Sequence, residues 1–103
     1  MIKQLFTIAK SGANTWSPLI RNAKIMEEVG EFSEALLFKL GHLPHKTMKE
    51  PLEGEAADII LCVIDTLQSV YTDLTPDELS DMLEQQLAKK SQKWLDVMEK
   101  RTS

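Results

Sequence analysis

A chain of 103 residues, 43% of them hydrophobic and with Cys62 as the one cysteine, suits a single domain with a small core and excludes an internal disulfide. Its net charge of -4, with no long basic block, argues against nucleic-acid binding through phosphate neutralisation. The longest apolar run, AADIILCVI, is interrupted by Asp58 and falls far short of a membrane span.

The N-terminal MIKQLFTIAK lacks both an apolar signal region and a small-residue cleavage site. A lone cysteine fits a reducing compartment. The expectation is one cytoplasmic domain over residues 1–103 with neither a nucleic-acid nor a membrane partner.

Of the four glycines and four prolines, Pro18, Gly41, Pro51 and Pro76 mark where helices begin and end. A first helix is expected over about 2–11. Ser17-Pro18 reads as an N-cap with proline at the first helical position, and Gly41 as a stop, which places a second helix at about 18–40. Pro51 starts a third at about 51–72, with Thr47 and Glu50 as a competing earlier cap. Thr75-Pro76-Asp77-Glu78 is a capping box opening a fourth at about 76–101. No segment alternates with period two, so the fold class is all-α, a four-helix bundle without strands. The segment 41–50, GHLPHKTMKE, is the one long loop.

Residues 24–37, KIMEEVGEFSEALL, crowd four glutamates into one helix, although like charges one turn apart repel. Helical projection gathers Ile25, Val29, Phe32 and Leu36 into an apolar stripe and sets Glu27, Glu31 and Glu34 opposite it. Glu28 instead sits at the stripe's edge beside Phe32. The third helix is apolar over most of its circumference, yet Glu55, Asp58, Cys62, Asp65 and Ser69 form one narrow polar line. Acids are rarely buried without partners, and no basic residue stands near these positions in sequence. A cation held between the second and third helices answers both oddities.

For the two acid pairs to meet, the helices must come level. Glu28 lies roughly 20 Å before Gly41, whereas Glu55 lies only about 6 Å inside the third helix. Ten loop residues span up to roughly 33 Å, so the loop is expected to run back along the second helix.

Glu28, Glu31, Glu55 and Asp58 offer only oxygen donors, which suits Mg2+, with Mn2+ the other possibility. Di-iron bundles use Glu-x-x-His pairs, and these are absent. His42 and His45 sit in a loop with no further histidine and a distant Cys62, a poor basis for zinc.

Glu27-Glu28-Val29-Gly30-Glu31 followed by Glu55-Ala56-Ala57-Asp58 resembles the EExxE…ExxD signature of the MazG-like, all-α nucleoside triphosphate pyrophosphohydrolases. The likeness runs through EEVGEFSEAL and EAADIILCVIDTL, across roughly residues 18–70. It implies a helical subunit that works as a homodimer or homotetramer. It also implies Mg2+-dependent hydrolysis of a nucleoside triphosphate substrate to monophosphate and pyrophosphate. Glu28, Glu31, Glu55 and Asp58 correspond to the family's metal ligands, and Glu27 to a further metal or attacking-water residue. Substrates specific to dUTP, dCTP or phosphoribosyl-ATP fall within the same chemistry. The alternative from another class is a catalytically idle helical interaction module.

Candidate substrate residues are more scattered. An apolar stripe of Leu79, Met82, Leu83, Leu87, Trp94 and Met98 on the fourth helix contains Lys90, a phosphate partner or a snorkelling side chain. Lys93 is a second choice. Lys24, one turn before Glu28, and Arg21 and Asn22 are candidates to reach substrate. Trp16 is placed to stack on a base or to cover the core, and Asp65 extends the acidic line towards a ribose or base. Because four short helices cannot cover so apolar a third helix, a symmetric homo-oligomer is expected with that helix near the interface.

Overall fold

The computed structural model describes residues 1–12 and 15–102. Four helices account for almost all of it: α1 (Ile2–Ser11), α2 (Pro18–Lys39), α3 (Leu52–Val70) and α4 (Pro76–Thr102). No strand occurs among the described residues. The helix ends follow the local chemistry read from the sequence. Ser17 Oγ accepts a hydrogen bond from the Ile20 amide at 3.3 Å, with Pro18 in the first helical position. Gly41 takes a φ of +83°, and the Gly41 and His42 amides bond back to the Phe38 and Leu37 carbonyls. That is a Schellman ending, which needs the left-handed conformation glycine adopts without strain. At α4 the capping box is reciprocal: Thr75 Oγ1 accepts from the Glu78 amide, and Glu78 Oε1 accepts from the Thr75 amide. Thr47 caps nothing; α3 begins at Leu52 behind Pro51.

Phe6, Ile64 and Leu79 form the buried apolar centre, joined by Ile2, Leu5, Ala9, Leu67, Leu74 and Leu83. The core therefore lies where α1 meets α3 and the first turns of α4. α2 packs along α3 alone; among the described residues it packs on neither α1 nor α4. The four expected helices are present, but they do not close into a bundle. The radius of gyration is 16.7 Å, whereas a compact chain of this length has about 13 Å. From Glu84 onward every described residue of α4 is exposed, so the fourth-helix stripe is core only at Leu79 and, partly, Leu83.

α2 departs most from the helical projection. Its buried residues are Arg21, Glu28 and Ala35, while Val29 is 41% and Leu36 is 37% exposed. Glu28 lies at the middle of the packed face, Ile25 and Phe32 are half-buried at its edge, and Val29 and Leu36 are turned outward. The physical reason is the partner: α3 meets α2 with its polar line of Glu55, Asp58, Cys62 and Asp65, so the two polar faces pack together. The loop runs back along α2, as expected, and Lys46 Nζ reaches Glu34 Oε1 at 2.5 Å. This return sets the start of α3 beside Ala35 and Lys39 and brings Glu55 and Asp58 to Glu28.

No described helix is long and apolar enough to cross a membrane.

Candidate metal centre

Spacing of three on α2 and of three on α3 points the acids across the helix pair. One carboxylate oxygen from each of Glu28, Glu55 and Asp58 lies within 4.8 Å of the others, and the same holds for Glu27, Glu28 and Glu31. The four ligands expected from the sequence thus meet as two overlapping triads joined through Glu28. Glu28 and Glu55 are buried, 6% and 8% exposed; Asp58 is half-buried, and Glu27 and Glu31 face solvent.

Such a cluster of like charge is costly. The neighbouring Glu28 charge, then burial, pushes the Glu31 carboxyl above its ordinary value of 4.5. Burial, and then the charges of Glu50, Asp58, Glu28 and Glu34, push Glu55 up as well. Lys24 provides a cation, its Nζ 3.1 Å from Glu28 Oε1 and 3.5 Å from Glu27 Oε1. It leaves Glu28 Oε2 unserved: that atom and Glu55 Oε2 are both buried with no hydrogen-bond partner. Buried acceptors in this state ordinarily have a partner, and an ion is one kind.

Beside the acids, Trp16, Arg21, Lys24, Leu61, Cys62, Asp65 and Thr66 line a cavity of about 260 Å³. Lys24 lines this cavity and pairs with Glu28 and Glu27, so cavity and acidic cluster adjoin. Arg21 bonds Asp65 through Nη1 and donates from Nε to the Trp16 carbonyl at 2.8 Å, which ties the segment before α2 to α3. Burial raises the Cys62 thiol above its ordinary value, with the Glu28 charge adding to the effect.

Of the residues expected to touch substrate, Lys24, Trp16, Asp65 and Arg21 come together here. Asn22 is exposed on α2 and lines neither the cavity nor the cluster. Lys90 and Lys93 lie apart from the acids of the same chain. They line a separate groove with Trp94, Val97, Met98 and Arg101 on the exposed end of α4, carried away because α4 packs on α1 rather than α2. Asp65 has a basic partner, Arg21, that stands 44 residues away in the chain. Projecting Arg21 and Lys24 with Glu28 reveals them on one face, a signal missed when partners were sought only near α3 in sequence. Thr66 and Leu61, also unforeseen, follow from the polar line as its flanks. No protein-family model, no curated protein and no solved structure matches this chain.

Proposed function

We propose that the α2–α3 acids hold a divalent cation, Mg2+ or Mn2+, and that the chain hydrolyses nucleoside triphosphates to monophosphate and pyrophosphate. The observation that carries this reading is the pair of buried, unpartnered oxygens, Glu28 Oε2 and Glu55 Oε2, inside a cluster of carboxylates. Oxygen-only donors of mixed burial fit a hard cation that keeps some of its waters. The EExxE…ExxD resemblance supports the choice of chemistry, since the same four residues carry it.

Bound there, the cation supplies neutralisation of the phosphates and electrophilic activation of the phosphorus. The remaining roles belong to the chain. Glu28 and Glu55 fix the centre from the buried side, and Asp58 and Glu31 complete it towards solvent. Glu27, exposed at the rim beside Lys24, takes the proton of the attacking water. The bond broken joins the α-phosphorus to its bridging oxygen, and pyrophosphate leaves on that oxygen. Lys24 offsets charge where the phosphates enter. The adjoining cavity, near the lower end of small-molecule sites at about 300 Å³, has room for a base against Trp16, with Asp65 held by Arg21 to accept its N–H groups. A mixed nucleotide panel with Mg2+, assayed for pyrophosphate, tests the reading. Release with at least one nucleotide, abolished by EDTA and by Asp58→Asn, is expected. No release from folded protein supports the helical interaction module instead.

A further inference from the structure

Two cavities meet at the Arg21–Asp65 pair. One is the cavity beside the acids, where the proposed function places a base. The other, of about 240 Å³, lies further along α3, and Arg21 and Asp65 line it as well. Its other polar walls are Lys10 from the end of α1 and Gln68, Ser69 and Thr72 from the end of α3. Lys10 and Thr72 are exposed, so this cleft opens to solvent.

One wall of the cleft carries a polar atom without a partner. Gln68 is 6% exposed, and its Oε1 is buried with no donor against it. Its amide nitrogen lies 3.5 Å from the Tyr71 carbonyl, so turning the amide over sets two oxygens together and orphans a donor instead. The nearby hydroxyls are engaged elsewhere: Thr66 Oγ1 donates to the Cys62 carbonyl and Ser69 Oγ to the Thr66 carbonyl. Buried amide oxygens are ordinarily paired, because an unpaired one forfeits its bond to water.

Position decides what can serve it. Asp65 and Gln68 stand three residues apart on one helix face, which puts their Cβ atoms about 5–6 Å from each other. A base amine that donates to Asp65 therefore stops one short substituent away from Gln68. Two carbons and a hydroxyl on that amine span the gap, and the secondary amine keeps one N–H for Asp65.

We propose that this cleft is a second compartment of the substrate site, and that it takes a hydrogen-bond-donating group carried on the exocyclic amine of the base. Gln68 accepts the bond from that group, and Asp65 accepts the remaining N–H of the amine. The chain thereby selects nucleotides whose base amine bears a donor-tipped substituent over those with the plain amine. This inference rests on the nucleotide reading of the adjoining cavity and is independent of the hydrolysis.

Calorimetric titration in Mg2+ tests this with two series of nucleoside monophosphates, one varied at the adenine amine and one at the cytosine amine. Each series compares the plain amine, a propylamine and a 2-hydroxyethylamine. Having no phosphate anhydride, none of them undergoes the cleavage proposed above. In at least one series the hydroxyethyl form is expected to bind about tenfold more tightly than the propyl form, the worth of one hydrogen bond to a buried acceptor. Gln68→Leu keeps the bulk of the side chain and removes the acceptor, so it is expected to lose that preference without a fall in melting temperature. Thr72→Trp, at an exposed position on the rim, is expected to lose both substituted forms and keep the plain amine. Equal binding of the hydroxyethyl and propyl forms in both series means that the cleft holds only water, and overturns the proposal. So does a preference that Gln68→Leu leaves intact. Failure of every nucleotide to bind overturns the base assignment along with it. A hydroxyethyl preference without pyrophosphate release from any triphosphate supports the cleft and refutes the hydrolysis alone.

Discussion

The acidic residues between α2 and α3 carry the testable chemistry at the smallest scale. Asp58 lies within a cluster whose other members are also acids, and Asn keeps its volume while removing one charge. In EDTA, Asp58→Asn is expected to stabilise the fold by about 1 kcal/mol, a rise of roughly 4–8 °C in melting temperature for a domain this size. Glu31→Gln is expected to move in the same direction. Both variants lose most turnover and most of the stabilisation by Mg2+. Melting curves with and without Mg2+, paired with pyrophosphate release, check this; a strongly destabilised variant with normal turnover contradicts the site. The same repulsion has a pH signature. Glu31 and Glu55 have folded-state pKa values above the ordinary 4.5, so the folded chain binds more protons than the unfolded one above that pH. Their contribution to stability is therefore greatest below about 4.5 and is lost as pH rises through the raised values. The metal-free chain is expected to melt progressively lower from pH 4.5 upward, with a shallower decline in Glu55→Gln. A slope unchanged by that substitution speaks against the cluster.

At the scale of elements, single hydrogen bonds decide where helices begin. Thr75 and Glu78 satisfy each other's amides at the start of α4, close to the core residue Leu79. Thr75→Ala is expected to cost about 1 kcal/mol, read as a 4–8 °C fall in melting temperature with metal binding unchanged. Asp65→Asn acts between elements, removing the charge opposite Arg21, whose side chain is only 9% exposed. Its cost is expected near the lower end of the 3–5 kcal/mol seen when buried pairs are broken, about 3 kcal/mol, measurable by urea denaturation. These ends and their caps were legible in the chain itself, because Ser17-Pro18, Gly41 and Thr75-x-x-Glu78 act over three or four residues. The acids of the site were legible for the same reason: i, i+3 spacing fixes their common face. Packing was not. The projection of α2 set Val29 and Leu36 in its apolar stripe, although a cation between α2 and α3 already required polar faces to meet; the stripe itself carries no information about which side its neighbour covers. Nor does periodicity tell where along α4 the core stops, for Leu83 and Leu87 are one turn apart on one stripe and only the first is covered.

Among the described residues the core cluster has Phe6, Ile64 and Leu79 as its buried members, and the radius of gyration is 16.7 Å. So open a protomer derives little stability from its own burial. If a second copy covers the exposed apolar residues of α2, α3 and α4, unfolding separates two chains as well as melting them. The melting temperature must then depend on protein concentration, because dilution favours the separated products. At about 0.7 kcal/mol of unfolding enthalpy per residue, a pair of 103-residue chains absorbs roughly 140 kcal/mol. A tenfold increase in concentration is then expected to raise the midpoint by about 3–4 °C near 60 °C. Mg2+ at saturating concentration adds its own upward shift, larger than that of Ca2+ if the centre favours a small octahedral ion. The two effects separate by mutation. Trp94→Glu is expected to abolish the concentration dependence and keep the Mg2+ shift, whereas Asp58→Asn keeps the first and loses the second. Calorimetry of the three proteins at two concentrations, each in EDTA and in Mg2+, measures both. A wild-type midpoint constant over that range means that the protomer melts alone, and that its bare faces do not hold a second copy together.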